Sequence, residues 1–107
     1  MPPKISAVGV INELLSFFGN YPERYTVGAY ARNRLGVSVA ATSRNARQWD
    51  TLGALRLLYG TCSDSNPYSR ALADAVGVRV TELSTWHDSH ETVEGYRAAL
   101  TAARNKL

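Results

Sequence analysis

What this chain lacks narrows its class before any motif is considered. It has a single cysteine, Cys62, so no internal disulfide can staple it, and a buried free thiol in a reducing compartment is the expectation. No apolar run approaches the roughly 20 residues of a membrane span, and the N-terminus has no signal-peptide cleavage pattern. The expected compartment is therefore the cytoplasm, with no membrane partner. Internal repeats, low-complexity tracts and a Pro/Gly-rich linker are missing too, so the 107 residues are read as one domain, 1–107. A chain of this size buries roughly 60–70% of its unfolded surface, enough for one core. There is no P-loop, dinucleotide-binding glycine pattern, zincin helix or nucleophile elbow, which lowers the expectation of an enzyme, and no cofactor is implied.

Negative charge is also missing from one long stretch. Between residues 24 and 47 lie Arg24, Arg32, Arg34, Arg44 and Arg47 with no acidic residue among them, although the whole chain carries only +3. Arginines that share a face attract an anionic partner. Tyr25 and Tyr30 are interleaved with them, adding stacking surface to phosphate-binding groups, a combination suited to nucleic acid and also to an acidic protein. The candidate binding residues are therefore Arg24, Tyr25, Tyr30, Arg32, Arg34, Arg44 and Arg47.

The apolar residues that are present predict a mainly helical α+β fold: about four helices with a β-hairpin between the first and second. Residues 4–18 place Ile5, Val8, Ile11, Leu15 and Phe18 at helical spacing, ended by Gly19-Asn20 and the Tyr21-Pro22 break. Residues 25–31 and 37–42, rich in Tyr, Val and Thr, flank the turn-like Asn33-Arg34-Leu35-Gly36 and read as a hairpin. A helix over 26–34 is the rival reading. A central helix is predicted over 43–60, with Ala46, Trp49, Leu52, Gly53, Leu55 and Tyr59 as its buried stripe, Ser43 as cap and Gly60 as stop. The other elements are expected to pack on it. Gly53 costs about 1 kcal/mol against alanine inside a helix, so its place on the stripe predicts the close approach of a backbone or a ring.

Residues 61–66 read as a polar loop, and Asn66-Pro67 as the start of a short helix stopped by Gly77. Residues 78–86 read as an extended connector. A last helix is predicted over 89–104, with Asp88 and Glu91 at capping-box spacing. At its entrance, Trp86-His87-Asp88-Ser89-His90 gathers two imidazoles and a carboxylate. His87, Asp88 and His90 are the candidate metal ligands or acid/base groups of the alternative, enzymatic reading. The plainer reading is that Asp88 caps, Trp86 packs and the histidines are solvated.

The run Trp49-Asp50-Thr51-Leu52-Gly53-Ala54-Leu55, followed by Trp86-His87-Asp88 and Thr92-Val93, resembles an uncharacterised family of short actinobacterial and phage proteins, a domain of unknown function. The family's pattern is a helix carrying Cys-x-x-Gly-Ala-Leu and a later Trp-Asn-Asp before a C-terminal helix. Asp50 stands here in place of the cysteine and His87 in place of the asparagine. The resemblance spans most of residues 24–104 and implies a structural core containing Gly53, Trp86 and Asp88. It implies no activity, but it does imply a phage or mobile-element origin, where small domains bind and inhibit host proteins. The leading expectation is thus a non-enzymatic binding or regulatory module that works through the arginine/tyrosine hairpin. The enzyme built on His87, Asp88 and His90 comes second, and a homo-oligomeric structural protein third.

Overall fold

The computed structural model describes residues 6–60 and 66–107; Cys62, the predicted loop over 61–65 and the start of the first predicted helix lie outside them. Five α-helices and two short strands follow one another as α1 (Ala7–Asn20), β1 (Ala31–Asn33), β2 (Ala46–Trp49), α2 (Thr51–Tyr59), α3 (Pro67–Val76), α4 (Leu83–Asp88) and α5 (Val93–Asn105), with 3₁₀ turns at Pro22–Arg24 and Val80–Glu82. The α+β expectation holds at that level, with five helices among the described residues in place of four. None of these helices is long and apolar enough to cross a membrane.

Helix α1 starts where the Ser6 hydroxyl accepts from the Gly9 amide at 3.2 Å. It buries Val10, Ile11, Leu14, Phe17 and Phe18 and leaves Val8 exposed, so its inward face is rotated from the predicted stripe. The segment is apolar over most of its circumference, and periodicity alone does not choose the face; packing against α3 and α5 does. Most of the helix packing therefore centres on α1, whereas α2 meets α3, α4 and β2.

The region read as the start of a central helix is a strand. β2 pairs antiparallel with β1 in the register Ala31↔Trp49, Arg32↔Gln48, Asn33↔Ala46. The register skips Arg47, which is therefore the extra residue of a bulge. That bulge turns both Ala46 and Trp49 inward although they are three apart, which imitates the spacing of a helix. Trp49 is tied down further, its indole N–H donating to the Ala41 carbonyl at 2.8 Å. The helix proper begins after Asp50, whose Oδ1 accepts from the Gly53 amide at 2.7 Å, so Asp50 and not Ser43 is the cap; Gly60, at φ +66°, closes the other end as expected.

The predicted hairpin exists in shortened form. Asn33–Gly36 is a turn, with Gly36 at φ +81° and its amide donating to the Asn33 carbonyl at 2.9 Å. Val37 and Val39 bond back to β1 across Asn33 and Ala31, but residues 40–42 do not continue the arm, because the chain turns there, the Ser43 amide donating to the Ala40 carbonyl at 3.0 Å. The predicted approach at Gly53 is present: a Cβ there would collide with the carbonyl oxygen of Tyr30 and come within 2.8 Å of its carbon. Gly53 is what lets α2 lie against the chain entering β1.

After α3, which has the predicted Asn66 cap and Gly77 stop, residues 78–86 are not an extended connector. They form the second 3₁₀ turn and most of α4. Asp88 ends α4 and does not cap α5, which starts at Val93 with the Thr92 hydroxyl accepting from the Gly95 amide at 3.2 Å. The Asp88 carboxylate is engaged elsewhere, by the amide of Gly28 at 3.0 Å.

Candidate binding groove and the buried histidine

The two candidate clusters separate on the choice of hydrogen-bond partners. His87 is fully buried. Its Nε2 lies 2.7 Å from the carbonyl oxygen of Thr26, which can only accept, so the proton is on Nε2. Nδ1 then accepts from the Thr51 amide at 3.1 Å and from the Thr51 hydroxyl at 2.6 Å, leaving that oxygen to accept from the Tyr96 hydroxyl at 2.7 Å. Burial lowers the imidazole pKa to about 4, so His87 is neutral near neutral pH. It supplies an acceptor to the first free amide of α2 and a donor to the chain at Thr26. Tyr25 and Tyr96 pack on the imidazole with ring centroids 4.9 and 5.0 Å away, and Phe18 and Trp86 pack in turn on those two tyrosines at 5.4–5.7 Å.

The other two members of the histidine cluster turn away. Asp88 holds Gly28, while His90 Nδ1 donates to the Trp86 carbonyl at 2.8 Å and its ring lies 4.8 Å from the indole. His87, Asp88 and His90 therefore do not converge, and no group of three or more His, Cys, Asp or Glu among the described residues could hold a metal ion. His87 and Asp88 are consecutive on α4 and so point in different directions, and His90 lies beyond the end of that helix.

The arginine cluster also divides. Arg32 is structural, its guanidinium donating to Thr26 Oγ1 at 3.1 Å, the Gly36 carbonyl at 3.0 Å and the Val27 carbonyl at 3.1 Å. It clasps the 33–36 turn to the chain before β1. Tyr25 is half-buried and packed against the core, its hydroxyl donating to the His90 carbonyl, and burial pushes its phenol pKa up. Tyr30 lies against Arg56, whose guanidinium sits 4.3 Å from the ring centre, and lines a different depression with Asp50 and Asp88. Arg44 is exposed, and its carbonyl accepts from Arg47 Nη1 at 3.0 Å.

Arg24, Arg34 and Arg47 do come together. They line one open groove of roughly 640 Å³ between the Pro22–Arg24 turn and the outer side of β1 and β2. The groove's other polar walls are Asn33, Gln48 and one acidic residue, Glu23, and its aromatic walls are Tyr21 and Trp49. Each arginine arrives by a different route: Arg24 from the 3₁₀ turn, Arg34 from the tip of the hairpin, and Arg47 from the bulge. Arg24 is held flat, its guanidinium 4.0 Å from the Tyr21 ring centre and 4.8 Å from that of Phe17. Arg47 is braced by the carbonyls of Arg44 and Ala46. Tyr21, Asn33, Gln48 and Trp49 were not evident from sequence as site residues. Tyr21 stands beside the Pro22 break, a visible signal that an aromatic meets a turn, whereas Trp49 reads only as helix core. Searches against protein families, curated proteins and solved structures find no match to this chain.

Proposed function

We propose that this chain is a small non-enzymatic binding module that engages an anionic macromolecule, an acidic protein surface or a nucleic acid, through the groove of Arg24, Arg34 and Arg47. The observation that carries this reading is that three arginines, from three separate segments, line one open groove with a single acidic residue. Two of the three are already held by ring or carbonyl contacts, so less side-chain freedom is lost when an anion arrives. Arginine also suits the task chemically, since its planar fork matches carboxylate and phosphate oxygens. The candidate site is thereby narrower than the whole run of arginines: Arg32 belongs to the fold and Tyr25 packs against its core. The resemblance to short actinobacterial and phage proteins adds the proposal that such a module is carried by a phage or mobile element and acts by occupying a host component.

The test is a titration of the protein with fluorescein-labelled heparin, a polyanion with no bases, at several salt concentrations. Affinity should fall linearly on logarithmic axes as salt rises. Arg34→Glu with Arg47→Glu should weaken binding by more than about tenfold while stability falls by no more than about 1 kcal/mol, the two carbonyl contacts of Arg47 being lost at an exposed site. Undiminished affinity in the double variant would remove the groove from the reading.

A further inference from the structure

We infer that the anion taken by this groove is a single-stranded nucleic acid, held by its phosphates at Arg34 and Arg47 and by a base against Tyr21. The inference rests on the anionic-partner reading and adds the chemical class of the partner. Three features of the groove suit a nucleotide, and two of them, the Tyr21 ring and the acceptor oxygen of Gln48, are idle with a carboxylate partner. The first is the Tyr21 ring, 49% exposed, with the Arg24 guanidinium stacked 4.0 Å from its centre. An aromatic ring fixed in place and open to solvent is a stacking platform for any base.

The second and third are two amide side chains whose orientation is decided by the fold. Asn33 Oδ1 accepts from the amides of Leu35 and Val37 at 2.9 and 3.0 Å, which leaves its Nδ2 hydrogens without a partner among the described residues. Gln48 Nε2 faces the carbonyls of Glu23 and Tyr25 at 3.3 and 3.5 Å, which leaves its Oε1 free in the same sense. Both line the groove. A fixed donor and a fixed acceptor beside an aromatic face are what base edges need. A duplex buries its base faces in the stack, so only an unpaired strand presents both face and edge together. A second depression of roughly 210 Å³ meets the first at Tyr21 and Arg24 and is walled by Phe17 and Leu58 together with the polar Glu13, Ser16 and Asn20, giving room for a neighbouring nucleotide.

The experiment is fluorescence anisotropy with labelled RNA and DNA single strands of about twelve nucleotides, the corresponding duplex, and poly-glutamate of matched charge. Single strands should bind at least about tenfold more tightly than duplex or poly-glutamate, and Tyr21→Ala should cost about tenfold while Tyr21→Phe retains affinity. The salt dependence should be unchanged in Tyr21→Ala and shallower in Arg34→Glu with Arg47→Glu. Equal binding of duplex or poly-glutamate, or a silent Tyr21→Ala, would overturn the single-strand inference and leave the anionic reading standing. Failure of every polyanion to bind at low salt would overturn both.

Discussion

The cluster around His87 and the groove around Tyr21 are built from similar materials, aromatic rings beside polar side chains, and they differ in what those polar atoms have left to offer. In the first, both imidazole nitrogens, the Thr51 hydroxyl and the Tyr96 hydroxyl are spent on one another and on the backbone, inside a wall of rings. In the second, three arginines and two amide side chains, one with an unused donor and one with an unused acceptor, line an open groove. Residue type does not separate these cases, since histidine and tyrosine are common catalytic groups and arginine is a common surface residue. Unspent hydrogen-bonding capacity next to solvent separates them. A buried polar group is stable only when partnered, so the interior uses up its polar chemistry, and the surface is where it remains available.

Variants can break this contrast, beginning with the sealed side. Gly53→Ala should be the most damaging, because its Cβ meets the Tyr30 carbonyl and neither backbone can retreat without parting α2 from β1. A loss of at least about 3 kcal/mol is expected in urea unfolding, and a near-neutral effect would show that α2 does not sit where described.

His87 supplies the next effect through pH. Its folded-state pKa, about 4, lies below the ordinary 6.5, so the unfolded chain binds the proton first. Stability from this group is complete above pH 6.5 and fades as pH falls toward 4, by roughly 3 kcal/mol. His87→Gln should be less stable at neutral pH and should lose less on acidification. Parallel pH profiles for the two proteins would contradict a neutral, sealed imidazole.

The arginines sharpen the contrast from within one residue type. Arg32→Ala should cost about 2 kcal/mol, since three hydrogen bonds leave with it, whereas Arg34→Ala should leave unfolding unchanged within about 0.5 kcal/mol. Similar melting losses in both would mean that the clasp at Gly36, Val27 and Thr26 carries no weight. The smallest expected effects separate two carboxyl- and hydroxyl-bearing residues near α5. Thr92→Ala should cost about 1 kcal/mol and raise amide exchange in the first turn of α5. Asp88→Ala should leave that turn protected and instead expose the Gly28 amide. Fraying of α5 in the Asp88 variant would restore the capping role that its spacing with Glu91 suggests.

Much of the fold was legible wherever a signal acts over a few residues. The Asn33–Gly36 turn, the Asn66-Pro67 start, the Gly60 and Gly77 stops and the close approach at Gly53 follow from backbone geometry at those positions. The strand β2 was not legible, because a bulge at Arg47 places Ala46 and Trp49 on one face at helical spacing. Ser43 and Asp50 are both good caps, and the choice between them was made by pairing with β1 at a distance. Asp88 was misread for the same kind of reason, its partner being the amide of Gly28 sixty residues earlier. For the site, the basic span was visible but its membership was not: five arginines read alike in one dimension, while three line the groove and one clasps a turn.

By itself, then, the sequence determined the stops of α1, α2 and α3 and the start of α3, the turn, the excess of arginine over acid between residues 24 and 47, and the absence of any disulfide within the chain. Those depend on dihedral preference, composition and charge, which act locally or simply add. The tertiary structure alone decided that His87 is neutral and sealed, that Tyr25 packs against the core, and that Arg24, Arg34 and Arg47 share a groove with Tyr21, Asn33 and Gln48. Each of these depends on which partner a side chain meets far along the chain, and burial, hydrogen bonding and pKa are properties of that meeting.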